Sequence, residues 1–131
     1  MNAESPPIQG VAMLVWSARL EQPDNLVAMF LTAQACSAMD LAVEMYFTAQ
    51  SVELLLQDHA SRSIGYGRAP MNLSQHLNQT AETGVRMYAC SQALHNLGLS
   101  EQALSPVCAG TGGVVQFAAR CAHAQWRSLV F

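Results

Sequence analysis

Val11-Ala-Met-Leu-Val-Trp16 is an unbroken apolar run. A strand with one wet face alternates polar and apolar residues. A run like this one has the form of a strand buried on both faces, which occurs where helices cover both sides of a parallel sheet. The rest of the chain is consistent with that constraint. Glu21-Gln-Pro-Asp-Asn opens a helix with Asp24 as the expected N-cap; Leu26, Phe30, Ala33 and Ser37 share one face of it, and it runs to about Met39. Leu41–Phe47 reads as the second strand and Ala49–Leu56 as a short helix. Met71–Thr83 is a helix ended by Gly84, and Val85–Ala89 is a third strand. Ser91 starts a helix that carries Leu94 and Leu97 and stops at Gly98. Ser100–Leu104 is one capped turn, Ser105–Cys108 a short extended piece and Ala109–Gly113 a loop. Val114–His123 forms the last helix and Leu129–Phe131 a terminal strand. The long irregular stretch, residues 57–70, has the form of a functional lid.

Strands alternating with helices require right-handed crossovers. The predicted fold is therefore α/β: a single doubly wound domain with a mainly parallel five-stranded sheet, helices on both faces and a flavodoxin-like strand order. Residues 1–9, closed by Pro6-Pro7, read as a flexible leader, and residues 10–131 as the domain. At 131 residues the chain buries a core without staples.

Composition narrows the function. Only 11% of the residues are charged although 51% are hydrophobic, well under the roughly 25% charge of a typical globular domain. The longest apolar stretch, around Leu26–Met39, is interrupted by Thr32, Gln34 and Ser37, short of the ~20 residues that span a bilayer. An undercharged chain with no membrane span is expected to hide surface against copies of itself. The net charge is −3 and the chain has no lysine, which argues against P-loop chemistry, Schiff-base chemistry and nucleic-acid binding. The first residues, Met-Asn-Ala-Glu-Ser-Pro-Pro, lack the basic region of a secretory signal, so the expected compartment is the cytoplasm, where thiols stay reduced. The cysteines at 36, 90, 108 and 121 form no CxxC, and no pair of histidines has metal-ligand spacing; no metal and no cofactor are expected.

Cys90 is the leading candidate for chemistry. It falls between a strand and a helix start, at the edge where parallel sheets bind ligands. Unpaired amides and the helix dipole there favour thiolate, the reactive form. Cys108 ends the next extended piece. If the two strands are parallel neighbours, both thiols reach one edge and exchange sulfur or form a disulfide, the latter requiring a Cα separation of roughly 4.4–6.8 Å. The alternative is a loop cysteine without a role. Cys36 and Cys121 lie within helices and read as packing residues. The run Gly110-Thr111-Gly-Gly113 lacks both GxGxxG and the P-loop pattern; it reads as a tight turn, or as an anion cradle with Ser91. His95 reads as a surface residue or a proton partner one turn into the Cys90 helix. His59, Tyr66 and Arg68 belong to the irregular stretch, from which Arg68 would stabilise a sulfur anion.

Met87-Tyr-Ala-Cys-Ser-Gln-Ala-Leu-His-Asn-Leu-Gly-Leu-Ser-Glu101 resembles the DsrE/DsrF-like family of sulfur-trafficking proteins: a strand, a cysteine, then a short helix closed by Gly-Leu-Ser-Glu. Ala12–Ser17 resembles the family's opening strand, Leu41–Gln50 its second strand and turn, and Trp126–Phe131 its closing strand. The resemblance runs from about Gly10 to the end. It implies a small α/β subunit, commonly homo-oligomeric and often trimeric or built of trimers. It also implies a sulfur carrier or sulfurtransferase holding a persulfide on Cys90 and passing it to a partner such as a TusA-like carrier protein. Cys90 matches the family's cysteine. Cys108 lies outside the single-cysteine pattern, although some relatives carry a second thiol. Two other readings stand beside this one: a non-catalytic interaction subunit, and a thiol redox sensor using a Cys90–Cys108 disulfide.

Overall fold

The computed structural model describes residues 6–131, so the first part of the expected leader lies outside the described residues. Five strands, β1 (Gly10–Val15), β2 (Ala42–Phe47), β3 (Arg86–Ala89), β4 (Cys108–Thr111) and β5 (Trp126–Val130), form one sheet in which every pairing is parallel. The α/β reading holds. The strand order is β4-β3-β2-β1-β5, not the flavodoxin-like order, which would place β1 between β2 and β3. Periodicity marks strands but not their neighbours. Here each connection from β1 to β4 steps to the next strand, and only the last returns across the sheet to pair β5 with β1.

That topology divides the helices unequally. Val11, Met13 and Val15 of β1, Val43, Met45 and Phe47 of β2, and Met87 and Ala89 of β3 face one way. They form the main core with Leu26, Met29, Phe30 and Ala33 of α1 (Pro23–Ala38), Leu73 and Leu77 of α2 (Leu73–Glu82), and Ala93 and Leu94 of α3 (Ser91–Asn96). The opposite face holds a small second cluster of Ala12, Tyr46, Phe117 and Trp126, covered by α4 (Val114–Cys121). At Gly10 a Cβ would lie 2.6 Å from the Trp126 ring, so the indole crosses β1 only because that position is glycine.

Several boundaries differ from expectation for identifiable reasons. α1 is capped by Gln22 with Pro23 in its first turn; the preset φ of proline starts the helix ahead of Asp24, which lies in the first turn instead of capping it. The Ala49–Leu55 segment is 3-10 rather than α. α2 begins at a reciprocal cap, in which the Gln75 N–H donates to Asn72 Oδ1 and the Asn72 N–H donates to Gln75 Oε1, each at 2.8 Å. The segment 105–111 is corrected most: β4 starts at Cys108 and runs through Ala109-Gly110-Thr111, where the sequence suggested a loop. Glycine reads as turn, but an exposed edge strand accommodates it. The register shift beside Met87/Tyr88, with Cys108 opposite Met87 and Gly110 opposite Tyr88, is a bulge of the kind edges tolerate. β5 extends back to Trp126, ahead of the expected Leu129.

The irregular stretch is pinned down. The Ile64 N–H donates to Met71 O at 2.9 Å, Ser63 bridges Asn72, and Ile64 is buried in the main core. Its inner side borders Val27 and His76, around a cavity of about 150 Å³. Among the described residues, no helix is long and apolar enough to cross a membrane.

Candidate functional site

Cys90 is the N-cap of α3. Its N–H donates to Phe47 O at 2.8 Å, continuing the β2–β3 ladder, and its carbonyl accepts from the Leu94 N–H at 3.0 Å, the first bond of the helix. One residue thus serves sheet and helix at once, at the carboxyl edge of the sheet. Cys90 is only 6% exposed and belongs to the same core as Ala93 and Leu94. The sulfur is turned toward the next junction along the edge: a Cβ built on Gly113 would lie 3.7 Å from Cys90 Sγ. Gly113 is the N-cap of α4, so α3 and α4 both begin beside the sulfur, and first-turn amides have no acceptor within their own helix.

Cys90, Ser91 and Gln92 from the first junction, with Thr111 to Gln116 from the second, line a hollow of about 590 Å³. None of these side chains is charged and none is a histidine. Polar character comes from backbone amides, the Ser91 and Thr111 hydroxyls and the Gln92 and Gln116 carboxamides. Val114 and Val115 lie at the rim, 50% and 85% exposed. A larger hollow of about 650 Å³, among Trp16, Arg19, Glu21 and Gln50, opens beyond β2 on the same edge and contains no thiol.

Of the expected site residues, Cys90, Ser91 and Thr111 come together; Gly110 lies one step back on β4, outside the hollow. Cys108 does not join them. It pairs with Met87, three positions short of Cys90, and its thiol donates to Gly110 O at 3.3 Å. Three residues of strand are about 10 Å, beyond the reach of a disulfide in this arrangement, and both cysteines are free. The expectation of two thiols at one edge fails because Cys108 opens its strand instead of closing it. Arg68, His59 and Tyr66 lie in the tethered stretch and His95 is exposed on α3; none lines the Cys90 hollow. Sequence reasoning missed Gln116. Its signal was its place three residues after Gly113, the spacing at which a side chain reaches back to the N-cap amide, and it does so here: the Gly113 N–H donates to Gln116 Oε1 at 3.1 Å.

Charge concentrates elsewhere on α4. Arg120 holds Glu44 with two bonds, Nε to Oε1 at 2.7 Å and one terminal nitrogen to Oε2 at 3.1 Å; Tyr46 Oη donates to Glu44 Oε1 at 2.8 Å, and the guanidinium lies 3.9 Å over the Trp126 ring. Burial alone pushes the Glu44 carboxyl up, but the bonds from Arg120 and Tyr46 and the positive charges of Arg120 and Arg86 outweigh it, holding the pKa below the ordinary value. Burial and the neighbouring carboxylate push the Tyr46 hydroxyl up. No cluster of three or more His, Cys, Asp or Glu side chains suited to a metal ion occurs among the described residues.

The sequence pattern of the DsrE/DsrF-like family matches residues 11–130. No curated protein matches the chain. Among solved structures, the ychN protein from E. coli superposes with a TM-score of 0.73 at 19% identity, covering 95% of this chain and 100% of that one. MTH1491 from Methanobacterium thermoautotrophicum, described as a protein of unknown function, gives 0.68 at 16% identity, covering 95% and 99%. At these identities the two structures share the fold.

Proposed function

The chain belongs to the DsrE/DsrF-like family, whose members are generally tied to sulfur relay, and from that premise we propose that it is a sulfur carrier or sulfurtransferase working through Cys90. The observation that supports this reading is the position of the thiol. Cys90 is a strand–helix junction cysteine at the carboxyl edge of a parallel sheet, facing a second helix start across an uncharged hollow.

The chemistry is exchange at sulfur. Cys90 thiolate attacks the outer sulfur of a hydropersulfide or polysulfide; the donor's S–S bond breaks, and its inner sulfur leaves with the electron pair and takes up a proton. Cys90 then carries the outer sulfur as a persulfide. A partner thiolate attacks that sulfur in turn and regenerates Cys90 thiolate. No net oxidation occurs, and the steps call for no metal or organic cofactor. Cys90 is 6% exposed, so a partner reaches its sulfur through the hollow beside it. The partner in this reading is a TusA-like or other sulfur carrier protein, and the compartment is the cytoplasm. The working unit is a homo-oligomer, a trimer or a multiple of one. The exposed Val115 and Val130, 85% and 58% accessible in the isolated chain, support association.

Intact-protein mass after incubation with polysulfide tests the assignment. The expected result is a gain of ~32 Da that reductant removes and that is absent from Cys90→Ser. A folded, reduced wild type that gains nothing, or a Cys90→Ser variant that loads normally, overturns it in favour of an interaction subunit.

A further inference from the structure

The edge strand of a sheet turns the backbone groups of alternate residues outward, and the phase of β5 is fixed by its bonds to β1. The Phe131 N–H donates to Leu14 O at 2.8 Å, and Phe131 O accepts from the Trp16 N–H at 2.8 Å. Gln125 O accepts from the Gln9 N–H at 2.7 Å, in the same phase. Odd-numbered residues therefore face β1. The N–H and C=O of Ser128 and Val130 point away from the sheet, as does the carbonyl of Trp126, whose N–H turns back to His123 O at 3.1 Å. The two edges of the sheet differ in protection. β4 has a register shift and is preceded by Pro106. β5 keeps an unbroken register with β1 from Trp126 to Val130 and contains no lysine, proline or bulge, the devices that blunt an edge. Leu129 and Val130, 37% and 58% exposed, fall on its opposite faces.

We propose that β5 pairs antiparallel with β5 of a second copy of the chain, across a two-fold axis at Ser128, so that the sheet continues from one chain into the other. The proposal builds on the self-association proposed above and names its surface. Ser128 is the middle residue of β5, so this register overlaps the two strands over their whole length. Each Ser128 N–H donates to the other copy's Ser128 carbonyl, and each Val130 N–H donates to Trp126 O of the second copy. The Trp126 N–H, already bonded within its own chain, is not needed. Val130 then lies opposite Trp126 on one face, and Arg127 opposite Leu129 on the other. Arg127 is the only charged residue of the strand, and this register keeps it from facing its own copy. The strand is thus complementary to itself in shape, hydrogen bonding and charge.

Molar mass by light scattering after size-exclusion chromatography of the full chain tests the pairing. Wild type is expected to contain an even number of copies. Ser128→Lys sets two cations face to face on the axis and is expected to halve the mass; Ser128→Asp does the same with two anions. Mixed in equal amounts, the two variants are expected to recover the wild-type mass, because each lysine then meets an aspartate. Neither variant would be rescued by the other if it had lost its fold, so recovery separates the interface from stability. An odd number of copies in the wild type, a mass that neither substitution changes, or a mixture that stays at half mass overturns the proposal. A monomeric wild type overturns it together with the homo-oligomer and leaves the edge to a strand of another protein. Sulfur loading of Cys90 is read separately by mass: loading without the pairing removes this proposal alone, and pairing without loading removes the carrier assignment alone.

Discussion

The two ends of α4 solve opposite problems. At its carboxyl end, Arg120 joins Glu44, Tyr46 and Trp126 in a partly buried charged cluster. At its amino end, about two turns before Arg120, Gly113 and Gln116 line the Cys90 hollow, which has no charged side chain. Phe117 sits between them, edge-on to Tyr46 with ring centroids 6.3 Å apart. The second face of the sheet has only a small apolar cluster, so packing alone fixes this helix weakly, and a bidentate ion pair supplies the directional hold that the large core supplies elsewhere. A fixed cation near the sulfur would instead bind any anion that entered. The molecule places its charge where a helix needs an address and keeps it away from the thiol.

The most forceful way to break that contrast is Arg120→Ala. It leaves Glu44, whose side chain is 11% exposed, without its cation. Breaking a fully buried pair costs roughly 3–5 kcal/mol; because the Arg120 side chain keeps 36% of its surface, a loss of about 2 kcal/mol is expected, or roughly 8 °C in Tm. Thermal and denaturant unfolding check this, and a change within experimental error means that the ion pair does not hold α4.

Acid sharpens the same point. Glu44 has a lowered pKa in the folded chain, so as pH falls the unfolded chain takes up the proton first. The stabilisation is therefore complete above the ordinary carboxylate range and is lost as pH falls through the folded value. Glu44→Gln is expected to be less stable than wild type at neutral pH and to lack part of the acid-side decline. Parallel stability curves for the two proteins from about pH 6 to pH 3 contradict the linkage.

Much of this architecture was legible because it is local. The apolar runs of β1 and β2, the stops at Gly84 and Gly98 and the junction at Cys90 are each written in a few adjacent residues. Strand order was not, since the neighbours of β1 depend on which way each crossover turns. β4 was misread because Ala109-Gly-Thr carries the composition of a loop while occupying a sheet edge, and that error carried Cys108 to the wrong end of its strand. The Glu44–Arg120 pair joins residues 76 apart in sequence, and periodicity does not reach that far. Gln116 was the one legible miss, because the spacing from Gly113 to Gln116 is that of a cap.

His76 provides a milder test, on the opposite face of the sheet. It stacks on Phe30 with centroids 5.8 Å apart, and its Nδ1 has no partner among the described residues. Burial lowers its pKa. As pH falls through the ordinary histidine value of about 6.5, the unfolded chain binds a proton before the folded one does, so stability falls until the lowered folded pKa is reached. His76→Phe keeps a stacking ring and is expected to change stability by less than about 1.5 kcal/mol at pH 8 while flattening the slope between about pH 7 and pH 5. An unchanged slope assigns that pH dependence to other groups. Cys90 alkylation rates are expected to match wild type throughout.

The smallest expected effect is the one that most directly separates geometry from analogy. A second thiol within a few residues of a glycine-rich turn invites a relay, and Cys108 has that position in the sequence. In the fold it lies beside Met87, about 10 Å along the strand direction from Cys90, bonded to its own strand at Gly110. Sulfur on Cys90 extends by one S–S bond of about 2 Å, which does not close that gap. Cys108→Ser is therefore expected to load and release sulfur at wild-type rates in the mass assay, and peroxide is expected to form no Cys90–Cys108 bond in the wild type. A loss of ~2 Da mapped by peptide mass to those two cysteines within a single chain would require the β3–β4 edge to open, since the register forbids the bond while the strands stay paired.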